Sequence, residues 1–254
     1  MRQRPIAVFD SGVGGISVLR ALRRELPSEN YLYFGDSANA PYGSRPTQDI
    51  CRLTMEHAAR LLEQSKALVL ACNTATSAAI DELRERYPDR IIIGIEPALK
   101  PALRAFPEGR IVVMATEATL RERKFAALMA QYAENCHIIK CPCPELVEFV
   151  ERGELHGAAV ERVLREELSA ALDPLPDAVV LGCTHFPFLK EAIHAVFGAD
   201  VRFFDGAEGT ARETRRRLDE CGLLLPEGTE GEVTLKNSAA SADLTALEQT
   251  LLNQ

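Results

Sequence analysis

The sequence predicts an α/β fold in which parallel sheets are built twice from similar units. Three observations carry this reading. Short apolar runs alternate with helical patterns along the chain, at the pace of βαβ units. Two stretches echo each other: Ala67–Thr74 reads ALVLACNT and Ala178–His185 reads AVVLGCTH. Each is a buried-strand pattern followed by a small residue, a cysteine, and side chains that hydrogen-bond. A second pair, IAVFDS at Ile6 and IVVMAT at Ile111, lies 105 residues apart, while Cys72 and Cys183 lie 111 apart. An internal duplication with a small loop difference accounts for both spacings.

The elements follow in order. Pro5–Phe9 reads as a buried strand, Asp10–Gly15 (DSGVGG) as a tight glycine turn, and Ile16–Leu26 as a helix. Tyr31–Phe34 is a second strand ending in Gly35 and Asp36. Ser37–Pro46 is a Pro-, Gly- and Asn-rich loop longer than a simple connection requires, and so a candidate binding loop. Thr47 is placed as the N-cap of a helix to about Gln64. Ala67–Ala71 is the third strand, with a helix to about Tyr87, and Arg90–Ile95 is the fourth. A second series starts at Arg110–Met114, followed by a helix opened near Thr116 and Thr119 and running to about Tyr132. Strands at Cys136–Lys140, Ala178–Leu181 and Val201–Phe204 alternate with helices at Pro144–Arg152, His156–Ala171, Phe186–Val196 and Ala207–Cys221. Glu232–Lys236 reads as an edge strand, and a last helix starts near Asp243. The boundary is expected at Glu96–Pro97, with the tail after about Ala207 returning to the first unit. This gives domains 1–96 plus 207–254, carrying Cys72, and 97–206, carrying Cys183.

Composition narrows the function classes. A net charge of −8 gives no electrostatic footprint for nucleic acid or an anionic membrane. No run of about 18 apolar residues predicts a membrane span. The start, MRQRPIAVFDSG, passes into a strand pattern without a signal-peptide layout, so a cytoplasmic protein is expected. Seven cysteines then read as reduced thiols. Cys51, Cys136 and Cys221 are expected to pack. His137, Cys141 and Cys143 do not match a zinc spacing, so no metal is expected.

A cysteine just past a strand's carboxyl end sits where open α/β sheets place ligands. If the two halves present these ends to one cleft, Cys72 and Cys183 flank a small substrate. One thiolate then removes a proton from carbon and the other thiol returns one to the opposite face, inverting the stereocentre. A helix start after each cysteine favours the thiolate. Asp10 and His185 can carry or relay protons. Ser11, Asn73, Thr74 and Thr184 supply neutral donors for carboxylates. Bland readings stand beside these. A strand-end cysteine is commonly inert core, Asp10 can serve its own turn, and His185 can bond a helix start. Asp36 can cap its loop, and Glu151 can be a solvated helix charge.

Two other functions compete. Strand–DSGVGG–helix with Asp36 about 20 residues on resembles a dinucleotide turn, but Ser17 stands at the third glycine and the second unit lacks the glycines. A two-lobed amino-acid-binding protein would need the cleft but not the thiols.

FDSGVGGISV at Phe9–Val18, GDSANAPYGSR at Gly35–Arg45, ACNTATSAAI at Ala71–Ile80, IEPA at Ile95–Ala98 and LGCTHFPFL at Leu181–Leu189 together resemble the glutamate racemases of the aspartate/glutamate racemase superfamily. The resemblance covers nearly the whole chain. It implies two flavodoxin-like domains around a buried cleft, usually in a homodimer, and cofactor-independent racemisation of L- to D-glutamate for peptidoglycan. Aspartate is the alternative substrate. It implies Cys72 acting on the D-enantiomer and Cys183 on the L-enantiomer. Substrate contacts carry over to Asp10, Ser11, Tyr42, Gly43, Asn73, Thr74, Thr184 and His185. Asp36 and Glu151 carry over as supporting carboxylates, and no pyridoxal phosphate or metal is implied. The family's G-T-x-x-T reads ATEAT at Ala115–Thr119, which retains the hydroxyls of Thr116 and Thr119 but not the glycine. Asn39, Glu148 and Phe186 also depart from common family residues.

Overall fold

The computed structural model describes residues 1–132, 136–228, 230–239 and 241–254. The first strands are β1 (Ile6–Asp10), β2 (Tyr31–Gly35), β3 (Ala67–Leu70) and β4 (Ile91–Gly94). Between them run α1 (Ile16–Glu25), α2 (Thr47–Gln64) and α3 (Asn73–Arg86). After α4 (Leu99–Ala105) come β5 (Arg110–Ala115), α5 (Glu117–Arg121), α6 (Arg123–Tyr132) and β6 (His137–Pro142). Then follow α7 (Pro144–Glu151), α8 (Ala158–Glu167), β7 (Ala178–Leu181), α9 (Lys190–Phe197) and β8 (Arg202–Asp205). The chain ends with α10 (Ala207–Glu220), β9 (Val233–Asn237) and α11 (Ala242–Asn253).

Two compact units result, Met1–Glu96 with Ala207–Gln254, and Pro97–Gly206. The first holds a parallel sheet ordered β4-β3-β1-β2-β9, the second a parallel sheet ordered β6-β5-β7-β8. With β5 to β8 matched to β1 to β4, both units share one order. The strand that starts each unit is flanked by the second and third, and the fourth lies beyond the third. β9 is the one strand of the first sheet without a counterpart.

Continuous apolar runs make the central strands because helices cover both sheet faces. β1 and β3 are buried at every position, as is β7. A core around Phe9, Leu68, Leu70 and Ile50 fills the first unit, and one around Ile111, Val113, Val180 and Leu103 fills the second. Each such buried aliphatic side chain contributes roughly 1.5–3 kcal/mol.

A buried ion pair ties the returning chain into the first unit. Lys66 meets the Glu29 carboxylate and donates to the carbonyls of Arg2 (3.0 Å) and Leu223 (2.9 Å). Glu29 in turn accepts the Leu225 N–H at 2.8 Å. Burial lowers the Lys66 pKa against the pull of Glu29, so the carbonyls are part of what holds the ammonium there.

Four expectations need correction. Thr47 is the first residue of α2, not its cap; Pro46 precedes it with no side-chain cap. The helix expected from Thr116 to Tyr132 breaks after Arg121, and Glu122 Oε2 accepts the Phe125 N–H at 2.7 Å as the second part begins. Cys221 is exposed and Cys51 half-buried, so only Cys136 of those three is buried as packing. The fourth concerns the segment after Cys183 and belongs with the site.

Candidate functional site

Both cysteines stand at the same backbone station. The N–H of Ala71 bonds the carbonyl of Phe9 at 2.8 Å, and the N–H of Gly182 bonds that of Met114 at 2.7 Å. Each bond extends the ladder one residue past the third strand of its unit, and the cysteine comes next. Between the first and third strands the connections diverge to opposite sides, the switch point at which open α/β sheets bind ligands beyond their carboxyl ends. Gly182 permits this closeness in the second unit, because a Cβ there would lie 2.9 Å from the Met114 carbonyl oxygen.

In the first unit Cys72 is buried and is the N-cap of α3, its Sγ accepting the Ala75 N–H at 3.4 Å. The positive helix start therefore faces the sulfur. Ser11 Oγ lies 3.5 Å from the same Sγ. Asp10 is fully buried at the end of β1 and accepts the Gly12 N–H at 3.0 Å. Gly15 is what lets the glycine turn fold back here: a Cβ on it would stand 2.5 Å from Asp10 Cβ. Asn73 and Thr74 are buried in the first turn of α3, and among the described residues Asn73 Oδ1 has no hydrogen-bond partner. A buried amide oxygen left unpaired is costly and marks a place for a donor from a ligand.

The loop after β2 adds a second group. Two 3₁₀ turns, Ser37–Asn39 and Tyr42–Ser44, bring Tyr42 back so that its hydroxyl donates to Asp36 Oδ2 at 2.7 Å. Gly43 is half-buried in the second turn. Asp36, fully buried, also receives Asn39 Nδ2 at 3.0 and 3.1 Å and lies 3.2 Å from His57 Nε2. Burial works against the Asp36 charge, but His57, Ser238, Tyr42 and Asn39 outweigh it and hold the pKa down at about 2. Burial and the Asp36 carboxylate push the Tyr42 phenol well above its ordinary value, and the charges of Cys72 and Asp10 also reach it.

The second unit supports its cysteine differently. No α-helix starts at Cys183; a four-residue 3₁₀ turn, Phe186–Leu189, intervenes before α9. Pro187 explains this: it has no N–H to give the Cys183 carbonyl, the bond that Thr76 makes to Cys72, and the carbonyl takes the Phe186 N–H at 3.2 Å in a tighter turn instead. Cys183 Sγ instead lies 3.5 Å from His185 Nδ1, and His185 Nε2 lies 2.7 Å from Glu151 Oε1 at the end of α7. Burial opposes charging His185, but Cys183 and Glu151 overcome it and raise the imidazole well above its ordinary pKa. Thr184 is buried beside them. Thr116 caps α5 by accepting the Thr119 N–H at 3.2 Å, with the two hydroxyls 3.0 Å apart.

Asp10, Ser11, Cys72 and Asn73 thus gather at one sheet edge, with Tyr42 and Asp36 joined to them electrostatically, while Cys183, His185 and Glu151 gather at the other. Sequence reasoning missed His57, although Leu53, His57 and Leu61, four apart, mark it as facing inward on α2. It also missed Glu167, which accepts the Glu145 N–H at 3.1 Å at the start of α7. Among the described residues no group of three or more His, Cys, Asp or Glu side chains is arranged to hold a metal ion, and no helix is long and apolar enough to cross a membrane.

This arrangement has known counterparts. A family model described as Asp/Glu/hydantoin racemase matches residues 14–214. A glutamate racemase of Clostridium botulinum is 48% identical over 99% of this chain and 98% of its own. The crystal structure of glutamate racemase from Francisella tularensis in complex with D-glutamate superposes with a TM-score of 0.84 at 29% identity, covering 100% of this chain and 95% of that one. That of Escherichia coli, in complex with L-glutamate and the activator UDP-MurNAc-ala, superposes at 0.83 with 32% identity over 98% and 95%. A full-length match in sequence and in two-sheet architecture leaves one assignment: the chain belongs to the Asp/Glu/hydantoin racemase family, on its glutamate racemase branch.

Proposed function

We propose that this protein racemises glutamate at its α-carbon without a cofactor, using Cys72 and Cys183 as the two acid/base groups. The observation that carries the reading is the matched station of the two cysteines, each one residue past the same ladder bond at the carboxyl edge of its sheet. One sulfur, as thiolate, takes the α-proton. The other, as thiol, delivers a proton to the opposite face of the carbanion. The C–H bond broken on one side is replaced by one formed on the other, and the two sulfurs exchange protonation states. Reprotonation through solvent resets the pair.

Roles follow for the neighbours. The unpaired Asn73 Oδ1 suits the substrate ammonium. N–H groups at the start of α3, with Ser11, Thr74 and Thr184, suit its carboxylates. Asp10 relays protons to Cys72, and His185, oriented by Glu151, does so for Cys183. Tyr42 and Gly43 border the substrate from their loop, Asp36 supports Tyr42, and Thr116 and Thr119 support the second unit. The Francisella tularensis and Escherichia coli structures, with D- and L-glutamate, support glutamate over aspartate. The same reading makes the protein a cytoplasmic homodimer that supplies D-glutamate for peptidoglycan.

The test is solvent-deuterium incorporation into D- and L-glutamate by wild type, Cys72→Ser and Cys183→Ser, with chelator present and no cofactor added. Wild type is expected to racemise with exchange at the α-carbon. Each variant is expected to racemise at least about 10³-fold more slowly, with residual exchange favouring D-glutamate in Cys183→Ser and L-glutamate in Cys72→Ser. Turnover indifferent to both substitutions would end the two-thiol reading.

A further inference from the structure

We propose that His57 is a positioning residue for the racemisation, acting on Tyr42 through the buried carboxylate of Asp36. The proposal rests on the placement of Tyr42 beside the substrate given above.

One carboxylate oxygen joins the pair. Asp36 Oδ2 lies 2.7 Å from the Tyr42 hydroxyl and 3.2 Å from His57 Nε2, while Asn39 reaches both carboxylate oxygens. The donors come from different parts of the first unit, His57 from α2, Ser238 from just after β9, and Tyr42 and Asn39 from the loop after β2. That loop has no regular ladder of its own; Asn237 and Ser238 hold its start, and the Asp36 carboxylate holds Asn39 and Tyr42. His57 is the donor that ties this carboxylate to a long helix.

The imidazole is itself fixed. Its ring stacks on Phe9 (5.7 Å between centroids) and tilts against Phe34 (4.8 Å), each one residue before the end of its strand, β1 or β2. Phe9 also lies 6.4 Å from the Tyr42 ring. One aromatic cluster thus sets both ends of the His57–Asp36–Tyr42 chain.

The chemical consequence falls on the Tyr42 oxygen. Its proton is committed to Asp36, so toward the substrate that oxygen presents lone pairs and accepts. An acceptor suits the substrate ammonium and not its carboxylates. Without His57 the carboxylate keeps Asn39 and Ser238 but loses a donor from Oδ2, the oxygen that receives the Tyr42 proton, and the Tyr42 hydroxyl is freer to turn and donate. The expected cost appears in substrate binding, because the contact exists in ground and transition states alike.

The experiment uses His57→Leu, which removes ring and donor, and His57→Gln, whose amide nitrogen reproduces Nε2. In His57→Leu, kcat/KM for glutamate is expected to fall about tenfold, mostly through KM, as for loss of a hydrogen bond to a charged group. His57→Gln is expected to recover most of it. On a Tyr42→Phe background His57→Leu is expected to add nothing, the signature of action through Tyr42. An undiminished effect on that background overturns the proposal. A second readout needs no turnover. With the ring carbon bearing the hydroxyl ¹³C-labelled, the five tyrosines give five signals, with that of Tyr42 assigned by Tyr42→Phe. It is expected to move in His57→Leu and to stay in His57→Gln, and a signal unmoved in His57→Leu overturns the proposal. Wild type inert on glutamate would break the functional reading alone, leaving this signal to decide the role of His57.

Discussion

Cys72 and Cys183 occupy the same station in two sheets of the same order, yet almost nothing that surrounds them is the same. Around Cys72 the helix starts at once, and the sulfur meets the Ala75 N–H of its first turn and a serine hydroxyl. Around Cys183 the helix is delayed by Pro187, and a buried histidine and a half-buried glutamate stand in for it. The first two strands differ in the same sense. The Asp36 N–H bonds the Asp10 carbonyl at 3.0 Å, and the Cys143 N–H bonds the Ala115 carbonyl at 3.1 Å. Two carboxylates in the first unit thus correspond to an alanine and a cysteine in the second. Strand order and backbone station were duplicated; the groups that manage charge were not. One sulfur is supported by fixed dipoles close to buried anions, the other by a group that carries a full, removable positive charge.

The largest effect expected from that difference is at His185. Replacing it by Asn should lower kcat/KM about 10²- to 10⁴-fold, the range for loss of a positioned acid/base group. Glu151→Gln, which keeps a partner for the ring but removes its charge, should cost less. Because the equilibrium between enantiomers is fixed, kcat/KM must fall equally in both directions. The asymmetry shows instead in isotope effects. With α-deuterated substrates, His185→Asn should raise the effect for L-glutamate, on which Cys183 is assigned to act, and not for D-glutamate. An equal rise for both would break the comparison.

How much of this was legible depended on the distance over which each feature is decided. The strands and both cysteine stations were readable because a buried parallel strand is a local apolar run. α4 went unread, although its Pro101 lies in the first turn, where no N–H is needed. The break at Glu122 was hidden because a side-chain cap does not interrupt helical periodicity. The missing helix start at Cys183 was in principle readable from Pro187, four residues on and without an N–H for the Cys183 carbonyl. The charge networks were not. Glu151 meets His185 from 34 residues away and His57 meets Asp36 across a whole loop and about three helix turns, and only a resemblance supplied Glu151.

The units should also answer pH in opposite directions. Asp36, at about 2 against an ordinary 3.8, favours the charged state. It adds about 2 kcal/mol of stability above the unfolded pKa, which is lost as pH falls toward 2. In the second unit, burial and the neighbouring charges of Glu145 and Glu166 raise Glu167 to about 7, outweighing the Glu145 N–H and Cys143. Its penalty on folding grows as pH rises from about 4.5 to 7. His185 has the same sense, stabilising below its unfolded pKa and ceasing to as pH climbs through its raised folded value. Urea midpoints should therefore show Asp36→Asn destabilised at pH 7 but matching wild type near pH 2. Glu167→Gln should match wild type at pH 4 and exceed it at pH 8. Parallel profiles for the two variants would contradict the contrast.

The smallest expected effect separates what the duplicated hydroxyls do. Ser11 and Thr116 follow the first strand of their units at matched positions, but Thr116 caps α5 while Ser11 sits 3.5 Å from the Cys72 sulfur. Thr116→Val should cost roughly 1 kcal/mol of stability, the usual worth of an N-cap, with little change in turnover. Ser11→Ala should leave the urea midpoint nearly unchanged and lower kcat/KM up to about tenfold, the worth of one neutral hydrogen bond. Stability and turnover measured together on both variants make a crossed test. If both substitutions act on stability alone, the Ser11 hydroxyl is only packing, and Cys72 relies on the start of α3 for its nearest support.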